Sequence, residues 1–179
     1  SFRDNARRDM TPTEIIDFFK NEQMDFDPGE KFLYNNSGYI LLGHIIEVVT
    51  GNSYADFIQK NIFDKLGMKN SYYGSINKII KNRASGYQQN GNEYINADYL
   101  SLTLPYAAGS LMSNVDDLLT WQKALNTNQL ISQKSYEKHD FANYSAISNS
   151  SKNVPKSLTM AEMRPCLTCW ELVLNLLGS

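Results

Sequence analysis

The stretch that decides the fold runs from Asp25 to Lys69 and reads DFDPGEKFLYNNSGYILLGHIIEVVTGNSYADFIQKNIFDKLGMK. Its opening residues, 26–29, contain an Asp-Pro-Gly turn signal. The apolar run from Ser37 to Thr50 stops at Gly51, which predicts a helix closed by a C-terminal glycine. Because apolar residues lie almost all round this helix, we expect burial on most of its sides.

A second helix follows at once. Ser53 to Asp56 form a capping pattern, and the helix is predicted to end near Leu66, before Gly67. Its apolar residues recur at helical spacing and predict a face turned to the core: Phe57, Ile58, Ile62, Phe63 and Leu66.

The flanking sequence also favours helices. Thr11-Pro12-Thr13-Glu14 predicts a helix from about Pro12 to Lys20, with an apolar face made of Ile15, Ile16, Phe18 and Phe19. Ser113 to Asp116 form a third capping pattern, which leads into an amphipathic helix containing Leu118, Leu119, Trp121 and Leu125. Between these helices, Asn90-Gly91 predicts a short β-hairpin.

The composition indicates one folded domain in a chain of 179 residues, of which 42% are hydrophobic and 20% charged. A formal charge of −2 excludes the basic field that binds nucleic acid, and we expect no nucleic-acid partner. No apolar run is long enough to span a bilayer, and the first residues lack the layout of a signal peptide. From about His139 the sequence becomes polar and small, which predicts a boundary between a region 1–138 and a tail 139–179. Within the tail, 170–177 fits either a helix or a strand.

The quoted stretch resembles the middle of the serine β-lactamase and penicillin-binding carboxypeptidase family. Tyr34-Asn35-Asn36 matches the family's Tyr-x-Asn element, and 61–68 is similar to its Phe-x-Pro-Leu-Gly-Met segment, although Asp64-Lys65 replaces the usual proline. Ala107 to Leu111, followed by Ser113, resembles the Gly-Gly-Leu stretch before a later helix. The resemblance covers residues 1–138. It implies a mainly α chain: the helical lobe of the β-lactamase/transpeptidase-like fold with a short hairpin, most of the antiparallel sheet being missing.

The resemblance also implies a chemistry. In the family, a serine of a Ser-x-x-Lys helix attacks an acyl carbonyl and forms an acyl-enzyme, which water then hydrolyses without a metal or cofactor. By position, Tyr34 would transfer protons and Asn36 would hold the lysine and the substrate. The implied partner is a small acyl substrate: a β-lactam, a D-alanyl peptide or an ester. Family members are expected to be periplasmic or secreted, and this chain's own localisation stays open.

The other elements of that machinery are not evident in the sequence. Ser75 with Lys78 and Ser135 with Lys138 fit Ser-x-x-Lys, but such matches arise by chance and both follow the Tyr-x-Asn, whereas the family's nucleophile precedes it. No Lys/His-Thr/Ser-Gly triplet follows Ser110. We therefore expect a truncated, inactive serine hydrolase. The alternative is a non-catalytic binding module, or one that self-associates through exposed apolar faces.

Three further groups of side chains are candidate sites. His44 and Glu47 share a helix face, but two ligands do not make a metal site, and a partly buried histidine beside a carboxylate is the favoured interpretation. Cys166 and Cys169 could bind Zn²⁺ or act as a redox pair, yet His139 supplies only a third ligand. The pairs Asp116-Asp117 and Asp25, Asp27 are interpreted as helix-cap and turn acids with local backbone roles.

Overall fold

The computed structural model describes residues 3–27, 30, 33–75 and 77–134. Six α-helices lie in these ranges: α1 (Pro12–Asp17), α2 (Asn36–Thr50), α3 (Tyr54–Ile58), α4 (Asp64–Leu66), α5 (Tyr106–Gly109) and α6 (Val115–Asn126). Four short strands accompany them: β1 (Tyr72–Tyr73), β2 (Tyr87–Asn90), β3 (Glu93–Asn96) and β4 (Leu111–Met112). A 3₁₀ turn at Arg3–Asn5 precedes α1. No helix among the described residues is both long enough and apolar enough to cross a membrane.

The helix α1 begins as predicted but is shorter. Thr11 and Glu14 form a reciprocal capping box, and Pro12 occupies the first turn. The predicted end at Lys20 is wrong, because the amides of Phe18 and Phe19 bond to carbonyls three residues back and the helix gives way to turns after Asp17. Ile15 is buried, whereas Phe18 is 40% exposed and lies outside the core.

The long helix α2 confirms the predicted element. The side chain of Asn35 accepts a hydrogen bond from the Gly38 amide at its start, and Gly51 closes it in the left-handed conformation, with φ 68°. The expectation of burial on most sides is wrong within the described residues. Ile40, Gly43 and Ile46 are buried, but a row at helical spacing on another face is exposed: Leu41, Ile45, Val48 and Val49.

The second predicted helix is confirmed from its Ser53 cap to Gly67, with an irregularity that the periodicity did not indicate. A π-helical turn at Gln59–Phe63 joins α3 to α4. Phe57, Ile58, Ile62 and Phe63 are buried as predicted, and Leu66 packs against the core. The π-helical turn therefore does not move the apolar face away from the core.

The strands form two separate antiparallel pairs. β2 and β3 make the predicted hairpin, in which Asn90 pairs with Glu93, so the two-residue loop is Gly91–Asn92. Gly91 has φ 63°, the left-handed backbone that such a turn requires. β1 pairs with β4 through Tyr72 with Met112 and Tyr73 with Leu111, which brings two distant segments together.

The N-cap of the last helix, α6, lies one residue later than predicted. Asn114, and not Ser113, accepts a hydrogen bond from the Asp117 amide. Leu125 is buried and Trp121 packs on the core, as predicted, but Leu119 is 52% exposed. The described part of the chain is thus mainly helical with small antiparallel sheets. That most of a larger sheet is missing stays a prediction, and the tail 139–179 lies outside the described residues.

Candidate active site

The two residues singled out by sequence meet at the start of α2. The Tyr34 hydroxyl donates a hydrogen bond to Asn36 Oδ1 at 3.0 Å. Tyr34 is 53% exposed. Its ring centre lies 5.1 Å from that of Tyr39, which is in the first turn of α2. Within the described ranges, this is the one hydrogen bond recorded for the phenol. The pair is therefore accessible to a ligand and is not sealed in the core.

The local sequence explains this placement. Asn35 has an extended backbone, with φ −147°, and its side-chain oxygen accepts the Gly38 amide at 2.7 Å. Because the cap residue directs the chain into the helix, Tyr34 precedes the first turn and Asn36 lies within it. The Asn36 amide nitrogen retains donors while its oxygen accepts from Tyr34, so the side chain is suited to bridging two partners.

The alternative nucleophile Ser75 does not have the geometry of a Ser-x-x-Lys helix. Ser75 lies outside the helices and its Oγ accepts the Asn77 amide at 3.1 Å. The Nζ of Lys78 sits 4.6 Å from the centre of the Tyr72 ring, so its described contact is a cation–π interaction. Ser135 and Lys138 lie outside the described residues, as do Cys166, Cys169 and His139.

His44 and Glu47 form a loose pair near the other end of α2. His44 Nδ1 lies 3.9 Å from Glu47 Oε2 and has no hydrogen-bond partner among the described residues. The firmer contact of Glu47 is the Tyr54 amide, which donates to Oε1 at 2.8 Å. The described residues contain no group of three ligands able to hold a metal ion. The partly buried histidine is thus as predicted, while Glu47 mainly joins α2 to the start of α3.

Three tyrosines pack beside Glu47, a cluster that the sequence did not indicate. The Tyr54 ring lies 5.9 Å from Tyr73 and 5.4 Å from Tyr106. Burial, opposed by a hydrogen bond with Ser110 and assisted by the Glu47 charge, raises the pKa of Tyr73 to about 12. Burial and then the Glu47 charge raise the pKa of Tyr106 well above its ordinary value. Phenols buried and held neutral in this way are structural groups.

Asp117 has a tertiary role in place of the predicted local one. It is buried, and Oδ2 accepts the Asn70 amide at 2.8 Å and the Ser71 hydroxyl at 2.7 Å. Asp116 is exposed and its carbonyl accepts the Thr120 hydroxyl, which agrees with a local role. Asp27 also bonds locally, to Glu30. None of these carboxylates forms an acid/base pair in the described residues.

An open groove of about 500 Å³ lies at the far end of α2, lined by residues that include Thr50, Asn52, Lys60 and Asp64. The rise of about 1.5 Å per residue in an α-helix puts some 20 Å between it and Tyr34. Its lining residues include no nucleophile with an activating base beside it. The Tyr34 end of α2 is the better candidate site.

A sequence model of the family described as Beta-lactamase matches residues 1–155. The chain belongs to the beta-lactamase family. Among its relatives, the mitochondrial serine beta-lactamase-like protein LACTB of Mus musculus is 36% identical over 113 residues, which are 63% of this chain and 20% of that protein. The chain thus spans about a fifth of the length of this curated relative.

Solved structures of the family share the fold. The D-amino acid amidase of Ochrobactrum anthropi SV3, complexed with L-phenylalanine, has a TM-score of 0.64 and 31% identity over 72% of this chain and 37% of its own. The penicillin binding protein of Bacillus halodurans has a TM-score of 0.65 and 26% identity over 74% of this chain and 41% of its own. This chain is therefore a relative of hydrolases in the beta-lactamase family.

Proposed function

We propose that residues 33–68 supply the proton-transfer part of a serine hydrolase site that cleaves an amide, lactam or ester through an acyl-enzyme. The observation that carries this proposal is the hydrogen bond between Tyr34 and Asn36 at the exposed entrance of α2. Family membership supports it, since the relatives include penicillin-binding proteins and an amidase. In this role Tyr34 relays the nucleophile's proton, and Asn36 orients the phenol and the substrate's acylamide group.

The proposal assigns the nucleophile to a Ser-x-x-Lys helix that these residues do not contain. A phenol is a weak base at neutral pH unless a cation adjoins it, and no lysine or arginine is recorded beside Tyr34 in the described part of the chain. We therefore expect the 179-residue polypeptide alone to have no turnover.

Covalent labelling tests this expectation. The purified chain is incubated with a fluorescent penicillin and separately with a fluorophosphonate, and adducts are located by mass spectrometry. We expect no adduct, whereas an adduct on Ser75 or Ser135 would show that the chain carries its own nucleophile.

A chimera tests the role of Tyr34 directly. Residues 33–68 replace the corresponding segment of the Ochrobactrum D-amino acid amidase, which supplies the rest of an active site. In an active chimera, Tyr34→Phe is expected to lower kcat by about 10²- to 10⁴-fold, the usual contribution of general acid–base catalysis. Tyr39→Phe removes a neighbouring hydroxyl one turn away and is expected to leave kcat within about threefold. Equal losses in both variants would refute a specific role for Tyr34.

Self-association is a second candidate function, and the exposed row on α2 favours it. Leu41, Ile45, Val48 and Val49 recur at the spacing of one helix face and are 36% to 71% exposed. Two such faces from two copies could cover each other. Light scattering after size exclusion should then give a dimer that Val48→Ser dissociates. A monomer over the whole concentration range would rule this function out.

A further inference from the structure

The charge of the chain is segregated along its length. Five cations and no acid lie between Asp64 and Glu93: Lys65, Lys69, Lys78, Lys81 and Arg83. Because the chain has 17 cations and 19 acids, the rest of it carries twelve cations against nineteen acids. A protein of net charge −2 therefore contains one strongly basic segment.

Two of these lysine residues contact Tyr72, one through its backbone and one through its side chain. The Tyr72 hydroxyl donates to the Lys69 carbonyl at 3.0 Å, and Lys78 Nζ lies over the Tyr72 ring. The Arg83 amide reaches the Ile80 carbonyl at 3.4 Å and closes a turn in which Asn82 has φ 61°. We call Lys69, Tyr72 and residues 78–83 the basic loop. All four of its cations are exposed, and none forms a salt bridge recorded among the described residues.

An exposed apolar side chain lies close to two of these cations in the sequence. Ile79 is 98% exposed, more than any other large apolar residue in the described ranges, and Ile80 beside it is partly buried. Transfer of an exposed isoleucine side chain from water to an apolar medium is favourable, so contact with such a medium would stabilise Ile79. A matching surface must therefore accept both an apolar side chain and several cations.

We propose that the basic loop binds an anionic lipid surface. Ile79 enters the boundary between headgroups and acyl chains, while Lys69, Lys78, Lys81 and Arg83 lie against the headgroup phosphates. Tyr72 suits this position, since its ring is apolar and its hydroxyl polar. A nucleic acid would engage the cations but would not require an exposed isoleucine, so the combination favours lipid. The proposal is independent of the acyl-transfer chemistry at Tyr34.

Vesicle flotation of the 179-residue chain tests the proposal. We expect binding to phosphatidylcholine vesicles that contain about 30% phosphatidylglycerol, little binding to phosphatidylcholine alone, and weaker binding as salt is raised. Each basic residue near such a surface contributes about fivefold in partitioning, so Lys81→Ser with Arg83→Ser should lower it about 25-fold. Ile79→Ser should lower it about tenfold.

Matched variants separate this interface from general charge effects. Lys60→Ser with Lys123→Ser removes two exposed cations outside the loop, and Val115→Ser removes an apolar side chain that is 74% exposed. Both should bind as the unchanged chain does, with circular dichroism confirming that every variant is folded. The proposal would be overturned if the control variants lost as much vesicle binding as the loop variants. It would also be overturned if the chain did not bind anionic vesicles, or if Ile79→Ser left the binding unchanged. Tighter binding to a short DNA duplex than to anionic vesicles would also overturn it.

Discussion

Gly43 lies where α2 is packed tightly against α5. A Cβ added there would lie 2.3 Å from the Ala107 Cβ and 2.8 Å from Tyr106 Cε1. Tyr106 cannot easily move away, because it is buried and its backbone already has φ 42°, in the left-handed region that non-glycine residues avoid. One absent methyl group therefore sets the distance between the two helices.

We predict that Gly43→Ala destabilises the chain by about 2–3 kcal/mol, because the overpacking cost exceeds the gain in helix propensity. Urea unfolding followed by circular dichroism measures the change. Gly38→Ala, in the first turn of the same helix, is the control, since its Cβ would meet only Asn35 Oδ1 at 3.3 Å. A Gly43→Ala variant as stable as the Gly38→Ala variant would contradict the close packing.

At the scale of elements, one buried carboxylate ties the start of α6 to the segment before β1. Asp117 accepts from the Asn70 amide and from Ser71, whose hydroxyl also contacts the Ser113 hydroxyl at 2.8 Å. These bonds join residues more than forty positions apart and flank the β1–β4 pairing. A buried donor left without its acceptor is costly, so the network depends on Asp117.

Asp117→Ala should accordingly lower the free energy of unfolding by about 2–3 kcal/mol. Asp116→Ala removes the neighbouring carboxylate from the same first turn, but that side chain is exposed. Its effect should stay within about 0.5 kcal/mol. Chemical denaturation of both variants in one buffer measures the two changes in the free energy of unfolding. Equal decreases would mean that the carboxylates act only through the helix dipole.

At the scale of the whole molecule, the tyrosines around Glu47 make the free energy of unfolding decrease at alkaline pH. The folded state raises the pKa of Tyr73 to about 12 and that of Tyr106 further. An unfolded tyrosine loses its proton near pH 10, so above that pH the unfolded chain binds fewer protons than the folded one. The stability that these neutral phenols contribute is complete below pH 10 and is lost as pH rises through the folded pKa.

We predict that the free energy of unfolding falls between about pH 10 and pH 12, and that Tyr73→Phe with Tyr106→Phe reduces this slope. Denaturation midpoints at successive pH values, with phenolate absorbance as a parallel signal, measure the effect. Between pH 7 and 9 the variant and the unchanged chain should show the same slope. If the double substitution left the pH dependence of the free energy of unfolding unchanged above pH 10, this account would be refuted.

Local sequence signals predicted the elements well where capping and periodicity agreed. The Thr11 and Ser53 caps, the glycine ends of α2 and α4 and the turn at Gly91 all depend on backbone chemistry within a few residues. The Tyr-x-Asn element was also recognisable because its residues are adjacent. The features that local patterns did not predict depend on contacts between distant residues, such as the hydrogen bonds that Asn70 and Ser71 donate to Asp117.

The sequence by itself determined the presence of four helical segments, the hairpin and the family, because caps, turns and short motifs act over a few neighbouring residues. It did not indicate α5. Only the tertiary structure decided which faces are covered. It left one row of α2 exposed, joined Glu47 to Tyr54 and placed the Lys78 ammonium over the Tyr72 ring. Such contacts depend on how elements pack in space, and helical periodicity alone does not specify the partner that each face meets.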